Sequence, residues 1–428
     1  MSPDKPGPFA HITVALCTLL HGFTHAFATM LVPLYLMIAH DFKLRGVGAA
    51  SLVVTVYGLV YCLGSYVAGV LADRWDRKTL LGVGLLGNAA AIIAMGLTRQ
   101  YEVMLALGVV AGLFGTLFHP AANALATAHY PKSPGMAVGI MGMGAGLGFF
   151  AGPHYAGWRA ETAQWTWGSI AAWQRPCIEM GIAGVVVGAI FLLLAREAAA
   201  RGQARALDVE HPPLGARLTK LVLSLAAVLG LRDFAGVASM SLLSIYLQKA
   251  HAYSVKQAGL VIGGMMLISV VVNPIAVWLT SGKRRLPALA FVLVAGGVVI
   301  ATVPLWPVFY VLPVMALFQA FQLGSYAIAD AAVLERVPPA VRGRVVGLFL
   351  TFAGTFASLS PWAMGFWTDM LRARAMEPSA YLPLFGTLGA MMLLAALCPP
   401  IIARLGAKQP PAIEAFSETL PATVEPLG

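Results

Sequence analysis

Two histidines four residues apart, His21 and His25, stand inside the apolar stretch "LLHGFTHAFATMLVPLYL". That spacing places both imidazoles on one face of a helix. A third, His119, lies in "LFHPAANALA", and the pair Arg232 and Asp233 interrupts another apolar run in "LGLRDFAGV". Imidazole is the commonest ligand for borderline metals and also titrates near neutral pH, so these side chains suit a metal cation or a proton. His21, His25 and Asp233 together would give two imidazoles and a carboxylate, a donor set that suits Fe(II). Asp233 has two other readings, as a proton acceptor or as the partner that neutralises Arg232, because buried charges are usually paired. For the histidines the plainer reading is a neutral ring hydrogen-bonded to a neighbouring helix. His154, Asp330 and Glu335 lie nearer the ends of their apolar runs and are weaker candidates.

Composition decides the setting. Only 11% of the 428 residues are charged and 59% are hydrophobic, with a mean hydropathy of +0.80. A soluble domain carries roughly a quarter charged residues, so this is a polytopic membrane chain. Apolar runs near 11–39, 47–72, 79–98, 103–128, 136–157 and 178–195 are followed by runs near 219–248, 257–281, 286–303, 308–333, 345–368 and 381–403. Each approaches the ~20 residues a spanning helix needs. About twelve spans are expected, the third and ninth being the weakest.

The first run follows MSPDKPGP and no small-residue cleavage site, so it is expected to be retained as a span with both termini in the cytoplasm. Eighteen of the 28 Lys and Arg residues then fall on cytoplasmic segments, nine on outer loops, and Arg232 within a span. That bias supports the orientation. The pI of about 9.6 accordingly reports topology and contact with anionic lipid headgroups rather than nucleic acid. Of four cysteines, Cys17, Cys62 and Cys398 fall in spans and Cys177 outside, without the spacing of a disulfide framework or zinc site. Trp158, Trp165, Trp167 and Trp173, all in the loop after span five, are expected at the membrane interface.

The Arg-rich segment 196–218, with its Pro pair, is the longest polar interruption and divides the chain into a six-helix half at 1–195 and another at 219–405. A Pro-containing tail at 406–428 is expected to be disordered. Gly135, Gly139, Gly146, Pro153 and Gly157 recur 208 positions later as Gly343, Gly347, Gly354, Pro361 and Gly365. Near the start of each half the offset is 211, which makes Arg232 the counterpart of His21. Parallel six-span repeats are a transporter plan, with the substrate near the midplane between the halves.

Between the second and third runs stands "GVLADRWDRK", residues 69–78. With Gly69, Asp73, Arg74, Arg77 and Lys78 in place, it resembles the signature loop of the major facilitator superfamily, although Asp76 occupies a position that is usually glycine. The resemblance implies an all-α fold of about twelve spans in two halves, and a conformational latch at this loop. Gly69 would permit close helix approach, while Asp73 would cap the next helix or pair with an arginine. "GLGFFAGPHYAG", with Gly148, Gly152 and Pro153, resembles the superfamily's antiporter motif. A plain packing face is the competing reading there, since Pro361 in span eleven lacks the flanking glycines. In the superfamily's arrangement spans one, four, seven and ten line the cavity, which would gather His21, His25, His119, Arg232 and Asp233.

"LFHPAANALATAHYPKSPGMAVG" resembles the superfamily's fosmidomycin-resistance branch, whose members are drug exporters. The opening "FAHITVALCTLLHGFTHAFATMLVPLYLMIAHDF" and the 69–78 loop more closely resemble the superfamily's magnetosome branch. That likeness implies iron as cargo, magnetite biomineralisation, and a place in the magnetosome or bacterial inner membrane alongside other magnetosome proteins. Three functions follow: a secondary iron transporter, a proton-coupled exporter of small organic molecules, and a non-transporting membrane scaffold. No enzyme activity or bound cofactor is expected, and without a phosphate-binding G-x-x-x-x-G-K-[ST] motif the expected energy source is an ion gradient.

Overall fold

The computed structural model describes residues 8–162, 170–197, 214–280, 282–338 and 341–406. Among them there is no strand, and twelve helical segments are long and apolar enough to cross a bilayer. Helices are what such a composition must form, because hydrocarbon offers no partner for an unpaired backbone group. Spans one to six run Phe9–Asp41, Val47–Arg74, Arg77–Leu97, Tyr101–His129, Pro134–Glu161 and Gln174–Leu194. Spans seven to twelve run Ala216–Ala250, Val255–Val272, Gly282–Ala301, Val308–Leu334, Arg342–Met370 and Pro378–Leu405. Most of the 196–218 linker and nearly all of the 406–428 tail lie outside the described residues, as do Trp165 and Trp167.

Several spans are broken. Span one is interrupted by a short 3-10 turn at Val32–Leu34 containing Pro33, and span four at Thr116–Leu117 just before Pro120. Span eleven breaks at Leu359, with Pro361 in the first turn of the following helix. Proline lacks the amide hydrogen that would continue the ladder and is favoured at a helix start, so each break sits where the sequence provides one.

Span five holds the bundle together on two faces. A Cβ at Gly144, Gly148 or Gly152 would lie 2.0, 2.1 or 2.6 Å from the carbonyl oxygens of Thr18, Gly22 and Ala26 in span one. On its other side, a Cβ at Gly157 would lie 2.4 Å from the Val255 carbonyl, and one at Gly259 the same distance from the Pro153 carbonyl. Span five thus touches both span one and span eight at backbone distance, and Gly148, Gly152 and Pro153 serve as a packing face.

The two ends of the bundle differ. At one end the Asp369 carboxylate, from span eleven, accepts hydrogen bonds from the Val47 and Gly48 amides at 2.9 and 2.8 Å, capping the first turn of span two. Lys249 lies 3.9 Å from the same carboxylate, and Glu161 accepts from the Lys256 amide. The Ser244 hydroxyl and Gln248 amide donate to the carbonyls of Val32 and Pro33. At the opposite end, a Cβ at Gly69, Gly135, Gly139, Gly343 or Gly347 would meet no described atom within 4 Å. The hydrogen bonds above join the two halves at the first end, while these glycines at the other end stand clear of any described neighbour.

Several expectations change. Gly69 brings no helices together in this state, and the capping role expected of Asp73 is filled by Asp76, whose carboxylate accepts from the Thr79 amide at 2.7 Å. Asp76 can do so because its extended backbone at the turn directs the side chain at the helix start. Cys177 lies buried in the first turns of span six, whose helix begins earlier than hydropathy suggested because Arg175 is itself buried there. Trp173 is buried, packing on Phe42 and donating its indole N–H to Asp41, so it faces protein instead of lipid.

The glycine contacts make a direct prediction. Gly148→Ala forces a methyl group onto the backbone of span one and should lower detergent-solubilised stability by about 1–3 kcal/mol, whereas Gly139→Ala, which meets nothing, should be neutral or slightly stabilising. Thermal-shift and gel-filtration profiles of the two variants would check this; equal behaviour would contradict the close contact.

Candidate functional site

The close packing of span one on span five sets the site. It brings His21 Nδ1 to 2.8 Å from the Met141 carbonyl oxygen, which can only accept, so Nδ1 carries the hydrogen and Nε2 presents its lone pair. His25, one turn on, lies with its Nε2 3.0 Å from His21 Nε2 and donates to that lone pair. His25 also packs on Phe149 of span five, with ring centroids 4.3 Å apart.

His119 completes the group. The break in span four at Thr116–Leu117 turns the short helix Phe118–His129 so that His119 stands edge-on to His21, at 5.1 Å between ring centroids, and 5.7 Å from His25. Phe118 stacks on His21 at 4.8 Å. Thr116 fixes the break by donating to the Tyr61 carbonyl of span two at 2.7 Å. One ring nitrogen from each of His21, His25 and His119 lies within 4.8 Å of the others. The Tyr61 ring sits 6.0 Å from His119, and its buried hydroxyl has no hydrogen-bond partner among the described residues.

Arg232 and Asp233 form a different site. Arg232 is fully buried; its Nε donates to Asp233 Oδ1 at 2.8 Å and its Nη2 lies 2.7 Å from the same oxygen. The guanidinium also lies over the Tyr326 ring of span ten, 3.7 Å from its centroid, a cation–π contact that replaces lost hydration. Nη1 finds no hydrogen-bond partner among the described residues. Asp330, on the same span as Tyr326, lies exposed within the electrostatic reach of this pair. The structure therefore brings the three histidines together and leaves Asp233 with Arg232, outside the histidine cluster. The expected donor set of His21, His25 and Asp233 is not assembled in this state, because the carboxylate is held by the guanidinium beside it.

Span two runs between the two centres. Tyr61 faces His119, while its neighbour Cys62 lies 3.6 Å from the Ser358 hydroxyl of span eleven and within the field of Asp233. Of the weaker candidates, His154 stacks on Phe150 and Glu335 forms an ion pair with Arg285. In the 69–78 loop, Arg77 donates to the carbonyls of Ala72 and Ala124, and the Lys78 amide donates to Glu197. Asp73 and Arg74 are exposed, and Asp73 makes no ion pair among the described residues. Sequence reasoning passed over Asp369, Tyr61 and Tyr326. Asp369 alone left a signal, as an acid one residue from the end of an apolar run; the tyrosines left none.

The chain's first half carries the family signal. The model described as Major Facilitator Superfamily matches residues 14–235. The tetracenomycin C resistance and export protein of Streptomyces glaucescens is 30% identical over 141 residues, 33% of this chain and 25% of that protein. Multidrug resistance protein MdtG of Dickeya zeae (strain Ech586) is 32% identical over 145 residues, 33% of this chain and 35% of that protein. These matches thus span only about a quarter to a third of the curated relatives' length. Among solved structures, a bacterial homolog of the human lysosomal transporter Spinster, inward-facing and occupied, superimposes with a TM-score of 0.71 at 18% identity, covering 97% of this chain and 98% of that one. A mutant of the nucleoside transporter NupG gives a TM-score of 0.71 at 12% identity over 91% of this chain and 99% of that one.

The buried ion pair predicts an asymmetry between single and double replacement. Asp233→Ala strands a buried guanidinium and should cost about 3–5 kcal/mol, while Arg232→Met combined with Asp233→Val, which removes both charges, should recover most of that loss. Thermal stability in detergent measures both; a double variant as unstable as Asp233→Ala would contradict the pairing.

Proposed function

We propose, from the premise that the chain belongs to the Major Facilitator Superfamily, that it is a secondary active transporter carrying iron ions across a membrane by alternating access. The observation that supports this reading most is the placement of three clustered imidazoles in a bundle sealed at its Asp369 end and open at its Asp73 end. Rocking of the 1–195 half against the 219–405 half would expose the cluster to one side and then the other. With both termini in the cytoplasm, the open end is cytoplasmic.

Iron and the magnetosome enter through the resemblance of the opening segment and the 69–78 loop to the magnetosome protein MamH. On that reading the cargo supplies magnetite biomineralisation, and the surroundings are magnetosome lipids and other magnetosome membrane proteins. The energy source is an ion gradient, with protons the natural coupling ion, since imidazoles and the carboxylates Asp233 and Asp330 can both take up protons. The 69–78 loop would act as a latch. In the present state Gly69 meets no neighbour, Asp73 and Arg74 are exposed, and Arg77 and the Lys78 amide are held by Ala72, Ala124 and Glu197. The loop's acid would meet the start of span eleven when that end closes, where a carboxylate is stabilised by the helix N-terminus.

A second reading is proton-coupled export of small organic molecules, favoured by the named functions of the two relatives above. Iron uptake into proteoliposomes separates the readings. The native protein should show saturable, gradient-dependent uptake, reduced at least about tenfold in His25→Ala and Asp233→Ala, a loss of about 1.4 kcal/mol or more. No uptake of Fe(II) or Fe(III) under a proton gradient of either sign, by protein of verified fold, would contradict iron transport and favour export.

A further inference from the structure

The donor atoms of His21, His25 and His119 define the chemical class of ligand that their cluster can take. We infer that it is a three-nitrogen site for divalent borderline transition-metal cations, closed to Mg²⁺ and Ca²⁺ and unsuited to ferric iron, with His119 as third ligand in place of Asp233. The inference rests on the transport reading for its purpose but on the geometry for its content.

Four observations support it. A metal at ~2.0–2.1 Å from each imidazole nitrogen in tetrahedral geometry holds those nitrogens roughly 3.3 Å apart. His21 Nε2 and His25 Nε2 are already 3.0 Å apart, and the third nitrogen needs to close only part of a spread of 4.8 Å. His21 donates its other ring N–H to the Met141 carbonyl, the outer contact that typically orients a metal-binding imidazole and fixes its tautomer. Among the described residues no carboxylate belongs to the cluster, and Asp233, the carboxylate expected in the donor set, is engaged by Arg232. The Tyr61 ring flanks His119 at 6.0 Å between centroids, and its hydroxyl is buried without a hydrogen-bond partner among the described residues, which leaves a polar atom unsatisfied on the element next to the cluster.

Donor chemistry then decides the class. Mg²⁺ and Ca²⁺ require oxygen ligands, and neutral imidazoles supply none, whereas Fe(II), Co(II), Ni(II), Cu(II) and Zn(II) all accept nitrogen. Ferric iron is harder and more highly charged, and three neutral nitrogens do nothing to offset that charge within the membrane. The proton balance is also simple. Metal binding needs the lone pairs of both His21 Nε2 and His25 Nε2, so the hydrogen that His25 Nε2 donates in the metal-free state moves to its Nδ1. Both rings stay neutral and no net proton is released. Affinity alone would rank Cu(II) and Zn(II) above Fe(II), so any preference for iron has to come from supply or from the translocation step.

The probe is Co(II), a spectroscopic substitute for Fe(II), added to the purified full-length protein in lipid nanodiscs. One equivalent should bind with the intense visible bands of low-coordinate nitrogen ligation, and be displaced by Zn(II) and by a large excess of anaerobic Fe(II), which binds more weakly than Co(II), but not by the same excess of Mg²⁺ or Ca²⁺. His21→Ala and His119→Ala should each weaken binding by at least about tenfold; His119→Gln, which keeps the volume, guards against loss of fold. Asp233→Asn should leave affinity within twofold. Retained bands in both His119 variants, lost bands in Asp233→Asn, or displacement by Mg²⁺ would overturn the site. Co(II) binding as described without uptake into proteoliposomes would leave this site standing and remove the transport reading; iron uptake with no histidine-dependent Co(II) binding would do the reverse.

Discussion

The contact on which the rest depends is the backbone-to-backbone approach of span five to its neighbours. Three glycines one helical turn apart, Gly144, Gly148 and Gly152, let span one settle where a single methyl group would collide with its carbonyls. Inside a bilayer the hydrophobic effect does not drive helices together, so dispersion contacts of this closeness and interhelical hydrogen bonds must do so. The hydrogen bond from His21 to the Met141 carbonyl is a product of that closeness. Continuing along the same helix, Pro153 and Gly157 meet span eight, so the helix that positions the histidines also joins the first six spans to the last six.

The polar interior follows the electrostatics of an apolar medium. The one embedded guanidinium identified from sequence has a carboxylate at 2.7–2.8 Å and an aromatic face at 3.7 Å, and neither group is left to bear the full desolvation cost alone. The histidines solve the same problem without charge, through a ladder from His25 to His21 to the Met141 carbonyl. Charge in the second half and neutral donors in the first half are separated by span two, with Tyr61 against one centre and Cys62 near the other. The two ends of spans two and eleven form a related pair. Asp369 at the end of span eleven caps the start of span two, while Asp73 at the end of span two stands exposed at the open end. Two antiparallel helices, each with an acid at its C-terminal end, can seal only one end at a time if the halves rock.

Much of this was legible in the sequence because it depends on counting. Twelve apolar runs became twelve spans, and the glycine series of span five became a packing face. His21 and His25 share a helix face because four residues is about one turn. What could not be read is what depends on tertiary approach. Family likeness gathered His119 with His21 and His25, and the sequence left Asp233 open between metal ligand, proton acceptor and partner of Arg232. The helix break at Thr116 that turns His119 inward and the pairing of Asp233 with Arg232 come from the packed structure. Asp76 caps a helix that the sequence offered to Asp73, either as its cap or as the partner of an arginine, because the local turn sets which carboxylate reaches the amide. Asp369 gained its role only from a partner more than 300 residues away.

If the halves rock, the seal at Asp369 and the opening at Asp73 are two ends of one motion. Spin-label distances test it most directly, in a background lacking the four native cysteines. One pair, Arg45→Cys with Arg374→Cys, spans the sealed end, and the other, Ser133→Cys with Gly343→Cys, spans the open end. Introducing Asp369→Ala should lengthen the first distance and shorten the second in the same population of molecules. Distances that stay fixed, or a sealed end that loosens while the open end does not close, would contradict alternating access in this protein.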